Sequence, residues 1–150
     1  MLILGLDPAT TCGWALLTLE GERRASGVWK LPTDHAARLA LFDEHLRALN
    51  RQWPGAVRCI GYEATNRHRS RAQARVAYGL EAVILLRASA WDCAALYPTA
   101  QQVKTTSGQT GRADKGAMLQ SARERWGPGV QTHDEADALW VAEWTRTNTR

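Results

Sequence analysis

With 150 residues and 16.6 kDa, the chain is long enough for one domain with a proper core and too short for two. A net charge of +4 and a pI of about 9.3 favour a polyanionic partner, and no apolar run approaches the ~20 residues of a membrane-spanning helix. Cys12, Cys59 and Cys93 are single and far apart, and Met1-Leu2-Ile3-Leu4 lacks the basic flank and long apolar run of a signal peptide. Together these argue against a zinc site or disulfide framework and for a reducing cytoplasm.

Leu2 to Asp7 reads as a strand that is apolar on both faces, hence central in a sheet. It ends on an acid ahead of Pro8, either to start a turn or to do chemistry. Gly13 to Leu19 is a second strand, Glu20-Gly21-Glu22 a turn, and Arg23 to Leu31 a third, more polar strand nearer the edge. The three predict an antiparallel meander. Thr33 or Asp34 then caps a helix with apolar residues Leu39, Phe42, Leu46, Leu49 and Trp53, and Pro54-Gly55 ends it. Val57 to Glu63 is the fourth strand, again finishing on an acid. A crossover helix makes this strand parallel to the first, so Asp7 and Glu63 should emerge at the same sheet end.

Asn66 is the predicted cap of a helix running roughly from Arg67 to Ala88. Its first turns carry Arg67, His68, Arg69, Arg71 and Arg75, cations that oppose the helix dipole and so suggest a purpose other than helix stability. The later part, with Val76, Leu80, Val83, Ile84 and Leu86, is apolar enough for core and a partner subunit. Asp92 to Tyr97 is the predicted fifth strand. From Val103 to Lys115 the chain reads as a polar, glycine-containing loop between two lysines, Lys104 and Lys115, leading into a helix over Ala113 to Trp126. It lacks the Gly-Lys-Ser/Thr of a Walker A loop, though its amides and lysines suit phosphates. After Gly127-Pro128-Gly129, Thr132 and Glu135 form a predicted capping box. Inside that last helix Asp134 and Asp137 share a face that continues through Trp140 or Val141 to Trp144. An acidic pair heading a buried stripe is costly unless a cation neutralises it.

This order of elements, with acids after strands one and four and on the last helix, resembles the ribonuclease H-like nucleases. More closely it resembles the RuvC family of Holliday junction resolvases, over nearly the whole chain. Leu4-Gly5-Leu6-Asp7-Pro8 with Gly13-Trp14 is similar to the family's opening motif, and Ile60-Gly61-Tyr62-Glu63 stands at its second acid. Gln102-Val103-Lys104 followed by Gly108, Gly111 and Lys115 resembles its phosphate-contacting loop, and Asp134-Glu135-Ala136-Asp137-Ala138-Leu139 its acidic helix. Two positions depart from the family: Ala9 follows Pro8 where glycine is usual, and Asn66 stands where an aromatic stacks on bases at the junction centre.

The resemblance implies one RuvC-like nuclease domain over residues 1–150, an α/β fold whose five-stranded mixed sheet is antiparallel in strands 1–3 and parallel in strands 4–5. It implies metal-dependent resolution of four-way junctions by paired phosphodiester hydrolysis, leaving 5′-phosphates. Two Mg²⁺, with Mn²⁺ as an expected substitute, would be held by Asp7, Glu63, Asp134 and Asp137, hard oxygen donors with Asp7 bridging. Lys104 and Lys115 would hold the backbone or offset transition-state charge. Asn66, Arg67, His68, Arg69, Arg71, Arg75, Lys104, Arg112 and Lys115 form the expected DNA-binding set. His133 adjoins Asp134 and is read as a surface residue at a helix start. A homodimer, a branch-migration helicase as partner and a cytoplasmic, nucleoid-associated location complete the expectation. The alternatives are a broader nuclease on flaps and splayed arms, a non-catalytic DNA-binding relative, against which the four acids argue, and an actin-like ATPase. The last shares the pattern Gly5-Leu6-Asp7-x-x-Thr10-Thr11-x-Gly13 but needs two such domains.

Overall fold

The computed structural model describes residues 1–64, 70–110, 112 and 114–149. The elements follow as β1 (Leu2–Asp7), β2 (Thr11–Thr18), β3 (Arg23–Lys30), α1 (His35–Gln52), β4 (Val57–Tyr62), α2 (Arg71–Ala90), β5 (Ala94–Leu96), α3 (Ala100–Thr106), α4 (Lys115–Trp126) and α5 (His133–Asn148). The sheet order is β3-β2-β1-β4-β5. The first three strands pair antiparallel; β4 runs parallel to β1, and β5 parallel to β4. This is the predicted mixed sheet. Among the described residues no helix is long and apolar enough to cross a membrane, and all three cysteines are unbridged.

Strand periodicity decides which residues meet which layer. Leu2, Leu4 and Leu6 of β1, with Ile60 and Tyr62 of β4, join Phe42, Leu46 and Leu49 of α1 and Leu80 and Ile84 of α2 in one core. Ile3 and Cys59 face the other way, into a second core built on α5 with Val103 of α3 and Met118 and Ala122 of α4. By the same alternation Asp7 and Glu63 fall on the α5 side of the sheet. Helix α5 is buried on nearly every side, from Ala136 through Ala142 save the half-buried Asp137.

Several expectations need correction. Val103 to Thr106 is not loop: it belongs to α3, which opens on a capping box between Thr99 and Gln102. The run of threonines suggested irregular chain, but the Thr105 and Thr106 hydroxyls donate to the carbonyls of Gln101 and Gln102, at 2.9 and 3.0 Å, and stay within the helix. The next helix starts at Lys115, capped by Asp114, whose Oδ1 accepts from the Ala117 amide at 2.8 Å. Helix α2 starts at Arg71, with Ser70 as its cap; the predicted cap Asn66 and the cations Arg67, His68 and Arg69 lie outside the described residues. The fifth strand is only Ala94–Leu96, because α2 runs on to Ala90 and the chain turns through Asp92 with φ at 52°. Before α5, Thr132 accepts from the Glu135 amide as expected, at 3.1 Å. The Glu135 carboxylate does not close the box on Thr132 but takes the amide of Gln131, at 2.9 Å.

Candidate active site

The site stands where β1 and β4 end side by side. Asp7 is the last residue of β1, opposite Gly13 of β2, and Glu63 follows β4 directly, its amide donating to the Leu6 carbonyl at 3.3 Å. Helix α5 brings the other two acids, and it reaches them because the sheet below it has no side chains in the way. A Cβ on Gly13 would collide with the Asp134 carbonyl, and one on Gly61 would overlap the Thr145 hydroxyl. Gly13 lets the first turn of α5 lie against the strand ends, and Gly61 seats its last turn.

The four carboxylates lie near enough to act on one another electrostatically. Burial is the largest cause pushing the Asp7 carboxyl well above the ordinary range; Glu63, Asp137 and Asp134 add to it, and Lys115 opposes. Glu63 is pushed up to about 7, by burial and then by Asp137, with Lys104 opposing. Asp137 is raised to about 6 by burial, against Lys115 and with a further push from Asp134. No salt bridge reaches any of the four among the described residues.

A cavity of about 200 Å³ opens beside Glu63 and Asp137 and is lined by Lys104 of α3, Lys115 of α4 and Asp114. The α3 turn that the sequence hid is what presents Lys104. Lys115 is held through His133, whose Nδ1 lies 3.0 Å from the Lys115 carbonyl, so His133 ties the start of α5 to the start of α4. Of the other predicted residues, Arg112 is exposed, and Arg71 and Arg75 are exposed at the start of α2, where they line a different cavity. Asn66, Arg67, His68 and Arg69 fall outside the described residues. Sequence reasoning missed Asp114 in the cavity wall, and the glycine seats of α5; glycine inside an otherwise apolar strand was the available signal.

The donor set consists of hard carboxylate oxygens, which suits Mg²⁺ or Mn²⁺ better than softer metals. Among the described residues no three acidic, histidine or cysteine side chains stand close enough to make a finished cation cage. The acids raise one another's carboxyls, and relief of that repulsion lowers the cost of admitting a cation. The residues fit such an ion by their chemistry and convergence.

No protein-family profile and no curated protein sequence matches the chain. Solved structures do. Thermus thermophilus RuvC in complex with Holliday junction substrate matches with a TM-score of 0.83 at 17% identity, over 99% of this chain and 98% of that one. A second Thermus thermophilus RuvC structure matches with a TM-score of 0.76 at 22% identity, over 96% and 92%. The yeast mitochondrial Holliday junction resolvase Ydc2 matches with 0.68 at 13% identity, over 96% of this chain and 77% of its own. The chain therefore has the RuvC-like, ribonuclease H-like fold.

Proposed function

We propose that this protein is a metal-dependent, structure-selective DNA endonuclease that resolves four-way junctions by paired phosphodiester hydrolysis. The observation that carries the reading is the convergence of Asp7, Glu63, Asp134 and Asp137, from β1, β4 and α5, at one sheet end and without a salt bridge among the described residues. The fold around them is that of RuvC.

Asp7, Glu63, Asp134 and Asp137 would hold two Mg²⁺, which when bound would supply phosphate charge neutralisation and an acidified water. The chain's own residues do the rest. Burial raises the Glu63 and Asp137 carboxyls to about 7 and about 6, so at mildly acidic pH a proton would compete with a cation for them. Lys104 and Lys115, on the walls of the same cavity, bind and orient the phosphate backbone. Asp114 is occupied in capping α4 and helps to fix Lys115 next to it.

Paired nicks on a two-fold symmetric junction need two such sites, and Tyr78, Leu85 and Leu86 leave an exposed apolar face on α2 for a second copy. Asn66, in place of a stacking aromatic, favours a second reading within the same chemistry, in which flaps and splayed arms are cut comparatively well. A base–aromatic stack is worth ~1–3 kcal/mol that this position does not supply. The test is incubation of labelled four-way junction, flap, splayed arm and linear duplex with the protein, with and without Mg²⁺, resolved on a denaturing gel. Mg²⁺-dependent nicks placed symmetrically on the junction support the reading. Undiminished cutting in chelator, or no scission of any branched substrate, sinks it.

A further inference from the structure

The N-terminal turns of α1 and α2 enclose a cavity of about 730 Å³ that the proposed chemistry does not use. Arg38, His35 and Asp34 of the α1 side and Arg71 and Arg75 of α2 line it. Arg38 is 6% exposed, and two of its three nitrogens are committed. One is 3.1 Å from His35 Nδ1, and another donates to the Thr33 carbonyl at 2.7 Å. Its Nε, buried as well, has no acceptor among the described residues. A cationic donor removed from water and left unpaired is costly, and an anionic oxygen is the partner that relieves it.

The surroundings favour an anion. Neither α1 nor α2 has an acid in its first turn; the α1 N-terminus carries only its Asp34 cap, and the α2 N-terminus, capped by the neutral Ser70, leaves its dipole without a negative charge among the described residues. No salt bridge engages Arg71 or Arg75 among the described residues. Asp34 brings the cavity's one carboxylate among its described lining, and its Oδ2 accepts the Ala37 amide as the α1 cap, at 2.9 Å. The two helices approach closely through Gly79, where a Cβ would come within 2.8 Å of the His35 ring. That packing fixes His35 and, through it, Arg38.

Topology places this cavity at the acid end of the sheet. The end of β3 pairs with the start of β2, Lys30 against Thr11, beside the pairing of Gly13 with Asp7. Helix α1 therefore begins near that end, and α2 follows the strand that delivers Glu63. Lys104 and Lys115 flank the acids from the α5 layer, while this cavity flanks them from the opposite layer.

We infer that the α1–α2 cavity is a second phosphate seat, in which Arg38 Nε, Arg71 and Arg75 hold a backbone phosphate of the DNA whose scissile phosphate lies at the acids. The DNA assignment rests on the proposed function, whereas the phosphate chemistry does not. The test uses the full chain without Mg²⁺, so that binding is read apart from cutting. Arg75→Ala should raise the Kd for a four-way junction on the order of tenfold, the worth of one charge-assisted contact. It should also reduce the slope of log affinity against log salt by about 0.9. Arg75→Lys should recover most of both, and Arg38→Met should repeat the loss. Arg75 is exposed, so its replacement keeps the test clean if Arg38→Met fails to fold. In parallel, inorganic phosphate should raise the melting temperature of the parent and not of Arg75→Ala. Equal junction affinity and equal salt slope for parent and Arg75→Ala overturn the DNA assignment, and if phosphate also protects both alike the seat falls with it. A parent that binds no branched DNA, yet is stabilised by phosphate through Arg75, overturns the proposed substrate and not the seat.

Discussion

Helix α5 carries two pairs of acids under opposite electrostatics. Glu135 is buried against three donors: the Ser26 hydroxyl at 2.6 Å, the Gln131 amide at 2.9 Å and the Arg23 guanidinium at 3.6 Å. Glu143 is buried between Arg146, at 2.7 and 2.8 Å, and Arg125, at 3.9 Å. Asp134 and Asp137 sit among other acids instead, with Lys115 and Lys104 acting on Asp137 only from beyond salt-bridge distance. The difference teaches what each pair is for. The glutamates are neutralised from within and brace the helix to β3 and the β2–β3 turn; the aspartates have no salt bridge among the described residues, as the proposed cation site requires.

The widest way to break the comparison is to remove an acid of the unpaired set. Asp7→Asn should lower junction cleavage by roughly a thousandfold or more, since the lost charge stabilisation amounts to several kcal/mol, while junction binding persists. A folded Asp7→Asn protein cutting near the parental rate refutes the site.

Glu143→Ala should do the reverse, costing about 1–3 kcal/mol of stability because Arg146 and Arg125, both partly exposed, lose their counter-charge. Urea unfolding measures it, and a loss under about 1 kcal/mol would mean the pair braces nothing. Gly13→Ala probes the seat on which the aspartates depend. Overpacking against Asp134 should cost about 1–3 kcal/mol and depress cleavage further than stability alone explains.

The metal-free protein should also reveal the unpaired set through pH. Glu63 and Asp137 bind protons more tightly folded than unfolded, so stability should rise as pH falls from about 7 toward the ordinary carboxylate range, and be lost as pH climbs back through 7. Melting curves in chelator should show this, Glu63→Gln should flatten it, and saturating Mg²⁺ should stabilise most at high pH. A metal-free melting temperature that climbs with pH through this window, unaltered by Glu63→Gln, would show that these acids are not stressed. The smallest effect is expected at Lys104→Ala, which should trim the salt slope of junction binding by about one phosphate contact.

Much of this was written in local patterns. The apolar run ending on Asp7, the crossover helix between β3 and β4, and the i, i+3 spacing of Asp134 and Asp137 are sequence features. Period and chain direction sufficed to put Asp7 and Glu63 at the same sheet end. The loop reading of residues 103–106 failed because threonine hydroxyls can turn back onto their own helix, a contact that propensity does not record.

What the sequence by itself determined was every element but α3, their order and the identity of the candidate acids, since each depends on neighbours a few residues away. Which acids are neutralised was decided only in three dimensions. Glu135 and Asp134 are adjacent in the chain, yet Glu135 meets Ser26, 109 residues distant, while Asp134 meets the bare backbone of Gly13. The same holds for the cavity where Arg38 and Arg75, on different helices, come together around an unmet donor. Charge acts over a few ångströms of space, and only the packing of α5, α1 and α2 on the sheet sets those distances.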